Sequence, residues 1–334
     1  MKLFLYLFMG ILLCVEGAGM AMGRPKTFSA PPAKHPGLYV RWECSIMADH
    51  VPPLPEAADK VFKQARALEK RGGLTPGEAE EVLKGYEQAA RMGHWKAINN
   101  LVACYMYGRG TAIDYDKAAH WADQLIAMKV GLGYYAKYIM LKKGWGMAPD
   151  RKAADKNLHL AADYGEPHAQ YELGIYYLYP ERREIQGLRY LVCAARQGHA
   201  EAASEIGTYL DMFDNKRMAV EYFYRATSLG LRDAALRLVA IFHPNNKLDD
   251  YGNNYGFQAN EELTQVFHDY YKLLKKHPGT RIPDLFKKHP LPPNAIMTRE
   301  QSRAMPSKLK DAFGGRWPDE IFPELAPDYL PPKL

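Results

Sequence analysis

The sequence predicts an all-α chain: a solenoid of helix-turn-helix repeats followed by a proline-rich, partly irregular C-terminal module. Three observations carry this reading. A phrase recurs, "AARMGHWKAINNLVACYMYG" at 89–108, "AADYGEPHAQYELGIYYLYP" at 161–180 and "AARQGHAEAASEIGTYL" at 194–210. Its glycine anchor falls at Gly93, Gly165, Gly198 and Gly230, with Lys129 in the glycine's place in a weaker copy, so successive anchors lie 36, 36, 33 and 32 residues apart. Periods of this size mark stacked helical pairs. Four residues after each anchor stands a small residue (Ala97, Gly133, Ala169, Ala202, Ala234), and four later, in most copies, a larger apolar one (Leu101, Leu173, Ile206, Leu238). That spacing puts both on one helix face, where the small residue lets a neighbouring helix come close.

Lys2, the apolar run "LFLYLFMGILLCV" and the small residues around Gly19-Met20-Ala21 make residues 1–21 a secretory signal peptide. The apolar run is short for a membrane anchor. Cys14 stands where a lipoprotein carries its lipid, but Leu13 occupies the place of the small residue that such processing requires, which favours plain cleavage. Removing residues 1–21 takes away one base, Lys2, and one acid, Glu16, so the formal net charge stays +6. The expectation is an exported, soluble, periplasmic protein.

Residues 22–74 read as a proline-punctuated segment, in which Tyr39, Val40, Trp42 and Ile46 suggest packing onto the first helices, followed by a capping helix at 56–71. A second capping helix spans 76–92; together the two present the polar outer face that a solenoid end needs. The repeats fill 75–245. Glycine pairs in "YGRG" (107–110) and "KGWG" (143–146) end helices, and Asp114 and Asp150 suit the starts of the next. Tyr105, Tyr177 and Tyr209 extend the buried stripe, with hydroxyls positioned to reach a polar edge. Lys137 replaces an apolar residue in the second copy and leaves its register open. Residues 246–334 form the C-terminal module. One amphipathic helix (260–277) precedes a stretch, 278–334, that holds 11 of the 23 prolines. Phe286, Leu291, Phe313, Trp317, Ile321, Phe322, Leu325 and Tyr329 are too apolar for a disordered tail. The module is expected to wrap back over the last repeat.

On these residues the chain resembles Sel1-like repeat proteins, relatives of the tetratricopeptide repeat. The resemblance implies a right-handed superhelical binding scaffold without catalytic residues. The overall plan of signal, repeats and proline-rich end is similar to that of periplasmic immunity proteins encoded beside phospholipase effectors of type VI secretion systems. That similarity implies a secreted toxin as partner.

Composition narrows the alternatives. With 47% hydrophobic and 25% charged residues the chain is an ordinary folded protein, and its interspersed charges give no nucleic-acid footprint. No HExxH, GxSxG or Walker A motif occurs. The HxK of "HWKAINN" lacks its following aspartate, since Leu101 holds that place. His277 and His289 follow lysine pairs and read as helix-end residues. No cofactor or metal is expected. Of the cysteines left after signal removal, Cys104 and Cys193 lie in alanine-rich apolar stretches that suit buried thiols, and an oxidising compartment admits a Cys44–Cys104 bridge. If first helices line the concave face, Lys96, Asn99, Met106, Tyr135, Lys142 and Tyr171 point outward there, a mixture suited to a polar protein partner. The alternatives are an adaptor in envelope regulation or polysaccharide export, and an envelope-acting enzyme whose site lies in the C-terminal module.

Cleavage at Gly19-Met20-Ala21 yields a mature chain that begins near Met22 and carries no lipid. N-terminal sequencing of the exported protein checks this, and a modified Cys14 at the new terminus would contradict it.

Overall fold

The computed structural model describes residues 44–179, 183–213, 215–244, 255, 257 and 259–292. The expected signal peptide with Cys14, the segment 22–43 and most of the C-terminal module, including Phe313, Trp317, Ile321, Phe322, Leu325 and Tyr329, lie outside the described residues.

Among the described residues the chain is an α-solenoid without strands. A 3-10 turn, Met47–Asp49, precedes α1 (Glu56–Arg71) and α2 (Pro76–Arg91), which pack as a pair. Four helix pairs follow: α3 (Trp95–Tyr107) with α4 (Tyr115–Ala127), α5 (Gly131–Lys143) with α6 (Arg151–Asp163), α7 (Pro167–Leu178) with α8 (Glu184–Arg196), and α9 (Ala200–Met212) with α10 (Lys216–Ser228). α11 (Arg232–Phe242) then pairs with α12 (Glu261–Lys276), and the short α13 (Leu285–Lys288) returns to α10.

Every anchor lies at a left-handed turn between two helices. Gly93, Gly165, Gly198 and Gly230 turn the chain with φ of 85°, 75°, 88° and 102°. Lys129, exposed and far from glycine in chemistry, takes the same left-handed conformation at φ 59°. The turn is therefore set by the fold, and the weaker copy accepts a strained residue to keep it. Directly after the turn, the side chains of His94, Glu166 and His199 accept from the N–H groups of Ala97, Ala169 and Ala202 and cap the next helix. Asp114 and Asp150 cap α4 and α6 in the same way, accepting from Lys117 and Ala153, each at 3.0 Å.

The small stripe is buried without exception. At Gly133 an added Cβ would lie 2.6 Å from the Ala122 carbonyl oxygen, so α4 and α5 touch almost backbone to backbone. Lys137 keeps the helical register by pairing with Asp123 at 3.0 Å. The three stripe tyrosines are buried, and each hydroxyl reaches back to the preceding second helix. Tyr105 donates to Glu87 at 2.7 Å and Tyr209 to Glu184 at 3.2 Å, and the Tyr177 hydroxyl lies 3.0 Å from His159 Nε2. His277 and His289 are C-caps of α12 and α13.

Both flanks dock on anchor turns. The N-terminal segment crosses Gly165, where a Cβ would meet the Met47 backbone nitrogen at 2.3 Å. The described end of the C-terminal segment crosses Gly230, and Ile282 N–H donates to the Ser228 carbonyl at 2.8 Å. Phe286 lies with its ring 5.4 Å from that of Tyr224, so residues 278–292 do fold back over the last repeats.

Gly165→Ala combines a left-handed alanine with a backbone collision and should destabilise by about 3 kcal/mol. Lys129→Gly relieves strain in open solvent and should stabilise by about 0.5–1 kcal/mol. Urea unfolding of the two variants checks both signs. A neutral Gly165→Ala would mean that the N-terminal segment does not sit on the turn.

Candidate functional site

The first helices begin side by side, each just past an anchor turn. Their opening residues enclose a hollow of about 280 Å³. Position three after the anchor supplies Lys96, Leu132 and His168, and Asn99 stands at position six. Phe62 and Arg66 of α1 close one side, Met47 and Gln197 another, and Arg281 of the C-terminal segment a third.

The wall carrying Met47 is held by a specific arrangement. Cys44 is bonded to Cys193 on α8, with the Cα atoms 5.3 Å apart, while Cys104 is a buried free thiol. This corrects the expected Cys44–Cys104 pairing and the reading of Cys193 as a free thiol. The segment after Cys44 runs from the third repeat back toward the first, so Cys193 is the cysteine it meets. Its backbone is then received by amide side chains. Met47 N–H donates to Gln197 Oε1 at 2.8 Å, and Gln170 Nε2 donates to the Ser45 carbonyl at 2.8 Å. Gln197 Nε2 in turn donates to the Gly165 carbonyl at 2.8 Å and to Gln170 Oε1 at 2.9 Å. The result is a strap, closed covalently across 149 residues.

From the wall of the hollow runs a partly buried row of rings. Tyr135 stacks on His168 at 5.8 Å, His168 meets His199 edge-on at 4.9 Å, and His199 stacks on Tyr171 at 4.6 Å. Burial disfavours charge on His168, but the Glu166 carboxylate, hydrogen-bonded to its Nδ1 at 2.8 Å, outweighs this and raises the pKa above the usual histidine value. Burial, together with the neighbouring His168, holds His199 well below that value, which suits the capping role of its Nδ1. Glu166, 1% exposed, is fully engaged: one oxygen takes His168, the other the Ala169 N–H.

The six residues expected to face a partner do not form one patch. Lys96 and Asn99 line the hollow. Tyr171 is half-buried against His199. Lys142 is exposed at the far end of α5, where it pairs with Glu172 at 3.2 Å. Met106 and Tyr135, at 4% and 2% exposure, are not outward at all. They line a narrow cleft between α3 and α5, and the Tyr135 hydroxyl donates to Glu172 at 2.9 Å. Neighbouring first helices approach so closely that Met106 and Tyr135 are covered from the adjacent repeat. Position three is the open one, so His168 was there to be read from the anchors. Phe62, Arg66, Gln197 and Arg281 had no such signature, because they come from flanks and from the end of a second helix.

Among the described residues no cluster of three or more histidine, cysteine or acidic side chains is arranged to hold a metal, and no helix is long and apolar enough to cross a membrane. His94, the head of the HxK stretch, is a buried helix cap stacked on Phe62 at 4.3 Å.

No protein-family model matches the chain. In structure it is similar to immunity protein Pa5087 from Pseudomonas aeruginosa (TM-score 0.61, 31% identity, 76% of this chain and 96% of that one). It is likewise similar to immunity protein PA5088 from the same organism (TM-score 0.64, 32% identity, 76% and 95%). A Sel1 repeat protein from Oxalobacter formigenes shares the fold (TM-score 0.52, 19% identity, 65% and 87%). Among curated proteins, DAP3-binding cell death enhancer 1 of Mus musculus is 28% identical over 177 residues, which is 51% of this chain; the match spans only 35% of that protein.

Removing the bridge with Cys44→Ser and Cys193→Ser should lower stability by about 2–5 kcal/mol, since a very long loop is released in the unfolded chain. Urea unfolding of the oxidised, reduced and double-serine proteins measures it. Identical midpoints for all three would show that the strap contributes nothing.

Proposed function

The chain belongs to the Sel1-like repeat immunity proteins, and from that premise we propose that it is a non-catalytic periplasmic protein that binds and neutralises a secreted toxin, a phospholipase delivered by type VI secretion. The observation that carries this is the extent of the match. It runs over 95–96% of the two immunity proteins, so the resemblance covers their whole architecture and not a generic helical hairpin.

The physical features support a binding role. The hollow and its walls are formed before any partner arrives, which removes part of the ordering cost of association. Its histidines are consumed by capping and by Glu166, its aromatic rings by stacking on one another. A disulfide between Cys44 and Cys193 suits an oxidising compartment and so supports the periplasm. An affinity in the nanomolar range, about −12 kcal/mol, is within reach of such a surface.

The test is survival. Cells that express a candidate phospholipase effector in the periplasm should be rescued by the exported chain and not by a version lacking residues 1–21, and the two proteins should co-purify. Turnover of lipid or glycan by the purified chain alone, with no complex formed, would overturn the reading in favour of an enzyme.

A further inference from the structure

We propose that the hollow at the start of the first helices receives an acidic loop of the protein partner, with Lys96 as the central contact; this rests on the binding role argued above. Cationic side chains enter the hollow from three separated parts of the chain: Arg66 from α1, Lys96 from α3 and Arg281 from the C-terminal segment. The single carboxylate on its wall, Glu166, is already committed to His168 and to the Ala169 N–H. Arg66 is anchored by Glu69. Lys96 has no carboxylate partner among the described residues; its ammonium sits 5.3 Å from the centre of the Trp95 ring. Lys96 therefore brings to the hollow a positive charge that no described carboxylate pairs, and the surrounding walls screen that charge less than open water does.

The remaining wall chemistry narrows the occupant. Asn99 and Asn100 stand beside Lys96 and offer amide donors and acceptors of the kind that read a peptide backbone, and Phe62 and Leu132 offer short apolar contact. About 280 Å³ lies just below the usual range for small-molecule pockets, about 300–1,000 Å³. It admits one or two side chains of an inserted loop and excludes a folded element. A partner presenting Asp or Glu at a loop tip fits in charge and in size. Such complementarity also steers encounter and rejects basic partners.

The experiment uses the oxidised full-length mature chain and has two arms. In the first, calorimetry at low ionic strength measures binding of hexaglutamate, hexalysine and inorganic phosphate. Hexaglutamate should bind and hexalysine should not. Lys96→Glu and, separately, Asn99→Asp should each weaken hexaglutamate at least tenfold, while Lys152→Glu, on the exposed face of α6, should leave it unchanged. Absent hexaglutamate binding, binding that survives both hollow substitutions, or phosphate binding as tight as the peptide's would overturn the proposal. In the second arm the same variants are titrated with the candidate phospholipase effector of the survival test above. A complex whose affinity ignores Lys96→Glu and Asn99→Asp sinks the hollow as contact site and leaves the immunity reading standing. Specific hexaglutamate binding with no effector complex sinks the immunity reading and leaves the acidic-loop site standing.

Discussion

A helical solenoid has a structural weakness: each pair touches only its neighbours, so nothing in the repeat fixes the dimensions of the space that the array encloses. Here a strap supplies that constraint. Cys44 is bonded to Cys193 in the third repeat, and the chain then passes over Gly165 and enters α1, which packs at the opposite end of the array. The buried core falls into two clusters that meet within α7, with Tyr177 in one and Leu178 in the other. Cys193 stands on α8 between Val192 and Ala194 of the second cluster, and Ala65 of α1 belongs to the first, so the strap ties the two together. Gly165 is the point on which this depends. It must turn the chain with positive φ, and it must also leave room for the backbone of Met47. One glycine thus serves the repeat and the strap at once.

What was legible in the sequence was whatever repeats. The spacing of anchors put Lys129 in the glycine's place, and the fold gives it the left-handed turn that the anchor glycines adopt. The alanine stripe, the tyrosine hydroxyls and the aspartate caps also recur, and each was readable because several copies say the same thing. Long-range pairing and exposure were not legible in the same way. The partner of Cys44 depends on how far along the array the N-terminal segment reaches, a distance no local pattern encodes. Two of the six candidate contact residues were misplaced for a related reason. Tyr135 and Met106 look outward on an isolated helix wheel, but the adjacent first helix covers them. A helix wheel describes one helix; exposure in a solenoid is decided by the next repeat.

The same geometry links fold to function. Because first helices start at the anchor turns, the residues just past those turns face a common space, and the strap and the C-terminal segment roof it with Met47, Gln197 and Arg281. Buried polar groups around it are satisfied internally, down to the Glu166–His168 pair and the capping Nδ1 of His199. A surface built this way offers shape and charge with little left to reorganise, and the same internal saturation leaves its histidines poorly placed for chemistry. Binding a protein is the task that such a surface performs best.

Hydrogen–deuterium exchange on the chain alone and in complex with the proposed effector tests the central claim directly. New protection should be concentrated at 44–51, 95–100, 130–135 and 166–171, around the hollow, while α4, α6 and α8 stay as they were. Protection confined to those second helices, with the hollow unchanged, would contradict the account.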